Sequence, residues 1–153
     1  MIIARAEESD LERILSIQRQ AYVSEARLYD DFMIPPLRQS LEELRAEFGK
    51  KVILKAVLEE NLCGSVRVSL SGRTCLVERL IVDPAAQGRG VGSALLSAAE
   101  AVYPDAEMME LFTGSRSTQN LRFYEKRGYV RSHERVLTEK VIVVYLRKLL
   151  KRS

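Results

Sequence analysis

Three glycines at alternate positions, Gly88, Gly90 and Gly92, separate a strand-like run from a helical one. The apolar run Leu80–Val82 ends just before Pro84, because proline cannot donate to a sheet ladder and biases the preceding residue away from helical angles. After the glycines, small and apolar residues recur at helical spacing. The sequence therefore predicts a strand, a glycine turn and a helix N-terminus in that order, and any fold of this chain must accommodate them.

This turn has the properties of an anion-binding site. The first N–H groups of a helix have no intrahelical partner, and the helix dipole is positive at that end. Glycine lets the main chain approach phosphate oxygens without an intervening Cβ, and Arg89 adds a charge-assisted contact. The alternative is that the glycines only make a tight connection. We favour phosphate binding, with the motif treated as a hypothesis.

The glycine spacing argues against two common nucleotide-binding motifs. The dinucleotide fingerprint Gly-x-Gly-x-x-Gly needs its third glycine one residue beyond Gly92, and a Walker loop ends in Gly-Lys-Ser/Thr, which is absent here. Binding of NAD or ATP through the turn stays an alternative from a different functional class.

Composition predicts one domain over residues 1–153, long enough to bury a core. The net charge of +3 suits an anionic cofactor but not a dedicated nucleic-acid binder. The sequence has no signal peptide and no long apolar segment, so we expect a cytoplasmic protein without membrane contact. Cys63 and Cys75 lie in apolar runs without metal-type spacing, so we expect reduced thiols and no metal.

The N-terminal third predicts a short strand at Ile2–Ala4 and then two helices. The first helix is expected to begin with a capping box at Ser9-x-x-Glu12 and to fade near Glu25. From there to Gln39 the periodicity is poor and two adjacent prolines break any helix, so a loop is predicted. A second capping box, Ser40-x-x-Glu43, opens the next helix, which ends at Gly49.

The remainder predicts a mixed sheet with helices packed on it. Three strands joined by short turns must be antiparallel, and the glycine helix is long enough to cross over to a parallel strand. The predicted order is βααβββαβαββ, an α/β (α+β) fold with a mostly antiparallel sheet of about seven strands. The segments after the second helix are strands 51–58, 62–70 and 74–82, the glycine helix, strand 107–113, helix 117–127 and a hairpin of 129–137 with 140–149.

The segment from Gln87 to Gly92 fits the pattern Gln/Arg-x-x-Gly-x-Gly and resembles the acetyl-CoA pyrophosphate loop of the GNAT superfamily of N-acetyltransferases. The element order is also the GNAT order. Met109–Gly114 followed by Asn120, Phe123-Tyr124 and Gly128-Tyr129 is similar to the second half of the family's acetyl-CoA site. The resemblance covers nearly the whole chain and is least specific in the first forty-odd residues.

The resemblance implies a single-domain GNAT fold with acetyl-CoA as the acetyl donor, bound where the fourth and fifth strands splay apart. An N–H near Ile81 or Val82 is then a candidate oxyanion donor. The family's leaving-thiolate acid corresponds to Tyr124, although this side chain could instead simply pack its helix on the sheet. The implied cofactor-binding residues are Leu80, Ile81, Val82, Gln87, Gly88, Arg89, Gly90, Val91, Gly92, Ser93, Asn120 and Tyr124.

Amine acetylation also needs a base, because an alkylamine is mostly protonated at neutral pH. Glu78 is the first candidate, since it lies in an otherwise apolar strand and, by alternation, on the same face as Leu80 and Val82. Its alternative is an ion pair with Arg67 or Arg79, or a solvated position. Glu110 on the next strand is the second candidate, with a solvated position as its alternative. A water chain without a dedicated base stays open.

The acceptor is predicted to be a primary amine, either of a small molecule or of a peptide. Tyr22, Glu25 and Tyr29, followed by Asp30 and Asp31, give the first helix and loop an acidic, aromatic character that suggests a cationic acceptor. The oligomeric state, including a homodimer, is left open. The alternative function is a non-catalytic acyl-CoA sensor or scaffold of the same fold.

Overall fold

The computed structural model describes residues 1–150. Residues 151–153, which the single-domain prediction includes, lie outside the described part. The strands are β1 (Ile2–Arg5), β2 (Val52–Leu58), β3 (Asn61–Ser71), β4 (Thr74–Val82), β5 (Met108–Gly114), β6 (Val130–Val136) and β7 (Ile142–Leu149). The α-helices are α1 (Leu11–Tyr29), α2 (Pro35–Arg38), α3 (Leu41–Phe48), α4 (Val91–Glu100) and α5 (Thr118–Glu125).

Within residues 1–150 the strands form one seven-stranded mixed sheet in the order β1-β2-β3-β4-β5-β7-β6. β4 and β5 are parallel and are connected by α4, the crossover that a parallel pair requires. The other neighbouring pairs are antiparallel. The predicted fold class is confirmed, and α2 is an addition to the predicted order.

β4 and β5 are paired over only part of their length. The paired register ends with Leu76 opposite Glu110, whereas β4 continues to Val82 and β5 to Gly114. Over this second half β5 stays paired with β7 on its other side. The predicted splay between the fourth and fifth strands is therefore confirmed, and the gap opens toward the carboxyl ends of both strands.

A β-bulge in β4 lies at the start of this gap. Arg67 of β3 is opposite Glu78 and Ser65 is opposite Ile81, so two residues of β4 face one residue of β3. Arg79, one of the two, has a φ of 53°, which non-glycine residues rarely adopt.

The bulge shifts the alternation of β4. Glu78 lies on the side of the sheet covered by α1 and α3, where Ile81 also packs. Leu80 and Val82 pack on the opposite side. The expectation that Glu78 shares a face with Leu80 and Val82 is wrong, because strict alternation takes no account of the extra residue.

Apolar layers cover both faces of the sheet. On one face α4 and α5 pack through residues such as Leu95 and Leu121; on the other α1 and α3 pack through Ile14 and Leu44. A smaller cluster joins the end of α1 to β7. Among the helices of residues 1–150, none combines the length and the hydrophobicity needed to cross a bilayer.

The segment predicted as a loop is more regular than expected. α1 continues past Glu25 to Tyr29, because the last turn of the helix is buried against β7. It ends where Asp30 adopts a φ of 50°. Pro35 then begins α2 instead of preventing a helix, since a proline at the first helical position removes an N–H that would have no partner there.

The two predicted capping boxes have different outcomes. Before α1 the box is formed by Glu7, whose N–H donates to Asp10 Oδ2 at 2.7 Å, so the prediction at Ser9 is wrong. Before α3 the predicted box is confirmed, with distances of 3.0 and 3.1 Å between Ser40 and Glu43.

Candidate active site

The glycine turn connects the open end of β4 to the N-terminus of α4. Gly88 and Gly90 have φ values of 79° and 81°, which side chains other than glycine rarely adopt. A Cβ at either position would meet no atom within 4 Å, so both glycines border open space. The first intrahelical bond of α4 is donated by Ala94 to Gly90. The N–H groups of Val91, Gly92 and Ser93 therefore have no intrahelical partner and are available to an anion.

Two arginines lie near this turn. Arg89, which the sequence singled out, pairs with Glu59 at 3.2 Å, and both side chains are exposed. Arg127 was missed: its Nε lies 3.3 Å from Ser93 Oγ, and its guanidinium stacks 3.7 Å from the centre of the Phe123 ring. The i,i+4 spacing of Phe123 and Arg127 is the sequence signal that could have found this pair.

Free main-chain groups of β4 line the gap between the strands. The Asp83 N–H donates to Cys63 O at 2.7 Å, so Asp83 points its main chain toward β3. By the alternation of an antiparallel ladder, Ile81 does the same, while Leu80 and Val82 direct their N–H groups toward the gap. Of the predicted oxyanion donors, Val82 therefore faces the gap and Ile81 faces β3.

Tyr124 lies on α5 and is buried, with 8% of its surface exposed. Its ring makes edge contacts with Phe123 and Tyr129. Burial raises the pKa of the Tyr124 phenol, and the nearby Tyr22 and Glu25 raise it further. Within residues 1–150 the Tyr124 hydroxyl makes no hydrogen bond, so its proton is available to a ligand.

Glu78 lies at the mouth of a polar network under α1 and α3. Its Oε2 is 2.8 Å from Lys51 Nζ, and Lys51 also reaches Glu47 at 3.4 Å. Glu47 in turn pairs with the fully buried Arg67 at 2.8 Å. The alternative of an ion pair was anticipated for Glu78, but its partner is Lys51, which the sequence did not suggest.

Glu110 is positioned differently. It is opposite Leu76, where β4 and β5 are still paired, and its Oε2 accepts a bond from Arg147 Nε at 2.8 Å. Arg147 is also its cross-strand neighbour on β7. Glu110 therefore lies at the closed end of the gap, whereas Glu78 lies next to the bulge where the gap begins.

The predicted acceptor residues on α1 divide into two groups. Glu25 accepts hydrogen bonds from the hydroxyl of Ser117 and, at 3.4 Å, from Asn120 Nδ2, so it joins α1 to α5 beside the gap. Asp30 and Asp31 lie beyond the helix end and contact the β6–β7 hairpin through Lys140 and Thr138. The acidic residues of this segment do not converge on one pocket.

Tyr29 is a structural tie between α1 and the end of β5. Its buried hydroxyl accepts a hydrogen bond from the Arg116 N–H at 2.7 Å and lies 3.0 Å from Ser117 Oγ. A Cβ at Gly114 would overlap this hydroxyl. Glycine is therefore required there, and Tyr29 closes the outer end of the gap.

Tyr22 lies on the α1 side of the sheet with the guanidinium of Arg79 against it. Burial raises the pKa of the Tyr22 phenol, and the positive charges of Arg79 and Arg67 counteract this. The Nε of Arg79 is buried and has no hydrogen-bond partner. Sequence reasoning considered Arg79 only as an ion-pair partner of Glu78, because strand alternation alone does not place it beside Tyr22.

The structure thus places a gap between two strands next to a glycine turn whose free amides are available to an anion. A family model described as "Acetyltransferase (GNAT) domain" matches residues 49–131, and the chain belongs to this family. Membership supports acyl transfer as its chemistry and coenzyme A as the carrier.

Solved structures share the fold over nearly the whole chain. The ribosomal-protein-S18-alanine N-acetyltransferase from Escherichia coli is similar with a TM-score of 0.81 and 14% identity, covering 99% of this chain and 95% of that one. The PaiA N-acetyltransferase from Thermoplasma acidophilum, solved in complex with coenzyme A, has a TM-score of 0.76 and 18% identity, covering 98% and 100%. At such identities the likeness concerns the fold.

A curated relative matches part of the chain. The UPF0157 protein YqkA of Bacillus subtilis (strain 168) is 25% identical over 116 residues, which are 76% of this chain and 33% of YqkA. The match thus spans about a third of the length of that relative.

Proposed function

We propose that this protein transfers the acetyl group of acetyl-CoA to a primary amine by direct attack of the amine on the thioester carbonyl. The observation that carries the proposal is the continuity between the free amides at the start of α4 and the free N–H groups of Leu80 and Val82 in the gap. Coenzyme A has a part for each place. Its diphosphate fits the amides at the start of α4, and its extended, amide-containing arm fits the N–H groups along β4.

The fit of coenzyme A to this site depends on open space and unpaired donors. Gly88 and Gly90 border open space, and the N–H groups of Val91 to Ser93 face the turn. Gln87 and Arg89 flank these amides, and Asn120 at the start of α5 lies near the outer end of the gap. Acetyl-CoA supplies the activated acetyl group when bound there.

Each remaining chemical need has a candidate in this chain. The N–H of Val82 stabilises negative charge on the carbonyl oxygen during attack. A carboxylate takes the proton that the amine nitrogen loses as the C–N bond forms. As the C–S bond breaks, the Tyr124 hydroxyl donates a proton to the departing sulfur. Burial raises the pKa of this phenol, so it stays protonated well above neutral pH.

Glu78 is the stronger candidate for the base. It lies next to the bulge at which the gap opens, on the side covered by α1, and Lys51 orients its carboxylate. Glu110 lies where the strands are still paired and is held by Arg147. We assign Glu78 to proton acceptance directly or through water, with Glu110 as the alternative.

Tyr22, Glu25 and Tyr29 are assigned to the acceptor side. Tyr22 borders the α1 side of the gap, and Glu25 offers a carboxylate at the contact of α1 with α5. Tyr29 acts indirectly, because its buried hydroxyl fixes the end of α1 against β5. These residues suit an amine acceptor of modest size or a peptide terminus.

The test is a calorimetric titration with acetyl-CoA followed by a thiol-release assay against a panel of amines. We expect saturable binding of acetyl-CoA, no comparable binding of NAD or ATP, and amine-dependent release of coenzyme A. Binding without release for any amine would support the alternative, a non-catalytic acyl-CoA sensor. Binding of NAD or ATP in place of acetyl-CoA would contradict both.

A further inference from the structure

Arg79 is a partly buried cation without an anionic partner. Its Nε is removed from solvent and has no hydrogen-bond partner. The nearest acidic side chains of the network are occupied, since Glu78 pairs with Lys51 and Glu47 with Arg67. No ion pair found among residues 1–150 includes Arg79. A buried charge that lacks a counterion is unfavourable, so this position is expected to be completed by an anion.

The main chain at Arg79 is strained in the conformation that positions its side chain. Arg79 adopts a φ of 53° in the β-bulge, where a non-glycine residue is strained. Such outliers cluster at functional sites, and here the bulge turns the side chain toward Tyr22 of α1. Leu80, the next residue, begins the stretch of free N–H groups in the gap. The strained residue is therefore directly beside the expected position of the thioester.

The anion that meets Arg79 is not the diphosphate of the donor. The phosphate-binding turn begins beyond Asp83, and the extended strand between Arg79 and Val82 alone spans about 10 Å at about 3.3 Å per residue. The part of the donor expected near Arg79 is the uncharged acetyl end. The anion must then come from the acceptor molecule.

The charges around Tyr22 indicate what kind of acceptor fits. The positive charges of Arg79 and Arg67 lower the pKa of the Tyr22 phenol, and the charge of Glu25 raises it. Glu25 and Tyr22 also act on Tyr124, the candidate acid. Positive and negative groups thus lie near the same pair of tyrosines, as a ligand with both an amine and an acid would require.

We infer that the acceptor is an amine that also carries a carboxylate, of the amino-acid type, and that Arg79 binds this carboxylate. The inference rests on the proposed function and narrows its acceptor class. A carboxylate placed on Arg79 orients the amine toward the thioester, because the two groups of one small molecule are held by different charges. Polyamines and other purely cationic amines lack the group that Arg79 requires.

The test compares L-amino acids with their α-amides, which differ only in the carboxylate, in the thiol-release assay. For the wild type we expect a kcat/KM at least tenfold higher for the preferred acid than for its amide. Arg79→Met should raise the KM for the acid at least tenfold with little change in kcat, and should leave the amide unaffected. Arg79→Lys keeps the charge and should restore part of the preference.

A binding measurement without turnover complements the kinetics. In the presence of coenzyme A, the preferred acid should raise the thermal midpoint of the wild type but not that of Arg79→Met, because only a ligand of the native state stabilises it. Equal use of acids and amides by the wild type would overturn the inference and leave the proposed function standing. An equal loss of kcat on both by Arg79→Met would also overturn it. Absence of thiol release with every amine would reject the proposed function and this inference with it.

Discussion

The guanidinium of Arg127, just beyond the C-terminal end of α5, lies against Ser93 in the first turn of α4, with 3.3 Å between Nε and Oγ. It is held there by stacking on Phe123 and by a bond of 2.9 Å to the Phe123 carbonyl. A fixed cation thus lies beside the free amides of the glycine turn. This contact links the segment after α5 to the glycine turn that precedes α4.

From this arrangement we expect Arg127→Ala to weaken coenzyme A binding about tenfold, about 1.4 kcal/mol, because a charge-assisted contact to phosphate is lost. Calorimetry at two salt concentrations measures the effect. Arg122→Ala in α5, which removes an exposed arginine, is the matched control. An affinity unchanged in Arg127→Ala would remove this residue from the site.

Gly90→Val should abolish detectable binding of acetyl-CoA. Valine at a φ of 81° costs about 1–2 kcal/mol of backbone strain, and its side chain would occupy the open space at the amides of α4. Gly72→Val is the control, because Gly72 also has a positive φ and open surroundings but lies in the β3–β4 turn. Calorimetric titration should find normal affinity in Gly72→Val, and intact binding in Gly90→Val would overturn the loop assignment.

Glu78→Gln should lower kcat about 100-fold at neutral pH, the typical effect of losing a general base. Glu110→Gln should lower it less than twofold, because Glu110 lies where the strands are still paired. Steady-state thiol release with both variants decides between the two carboxylates. A larger loss of kcat in Glu110→Gln would assign the base to Glu110. A normal kcat in both variants would indicate a water chain without a dedicated base.

Tyr124→Phe should lower kcat about 100-fold with little change in acetyl-CoA affinity, because only the proton donor is removed. Burial raises the pKa of Tyr124 above its ordinary value of 10.0, so the wild-type phenol stays protonated and kcat should show no loss from this group up to pH 10. Tyr103→Phe, just beyond the C-terminal end of α4, is the control. An unchanged kcat in Tyr124→Phe would end the assignment.

Features that depend on a few neighbouring residues were predicted correctly from the sequence. The glycine turn, the capping box at Ser40 and the order of the strands along the chain follow from residue chemistry, and the short turns force antiparallel pairing. The end of α1 did not follow, because Ala26 and Tyr29 are stabilised by contacts with the distant strand β7. Pro35 was likewise interpreted as a helix breaker and not as the first residue of a helix, because the local sequence does not show where a short helix begins.

The glycine turn and the free amides that follow it were predictable from the sequence, whereas the surroundings of Glu78 and Arg79 were not. A bulge is set by pairing between strands, so nothing in the sequence of β4 indicated that Arg79 would turn toward α1 or that Glu78 would leave the face of Leu80. Lys51, the partner of Glu78, comes from the start of β2, 27 residues earlier in the chain. Such long-range pairings are fixed by tertiary packing and not by periodicity.

Tyr129 gives a prediction about stability that does not depend on catalysis. Its hydroxyl donates to Glu100 Oε2 at 2.8 Å. Burial and the Glu100 carboxylate raise the pKa of Tyr129 above its ordinary value of 10.0. In the unfolded chain the phenol loses its proton near pH 10, while in the folded chain it keeps it. The stabilising contribution is therefore complete below pH 10 and is lost as the pH rises above that value.

We expect the free energy of unfolding of the wild type to fall above pH 10 by up to about 1.4 kcal/mol per pH unit for this group. Tyr129→Phe should be less stable by about 1 kcal/mol at pH 8, because the hydrogen bond is lost. It should also lose less stability as the pH rises, so the two curves should converge. Urea unfolding between pH 8 and 11 measures this. Parallel curves would mean that Tyr129 titrates alike in both states, and that its bond to Glu100 contributes nothing specific to the protonated phenol.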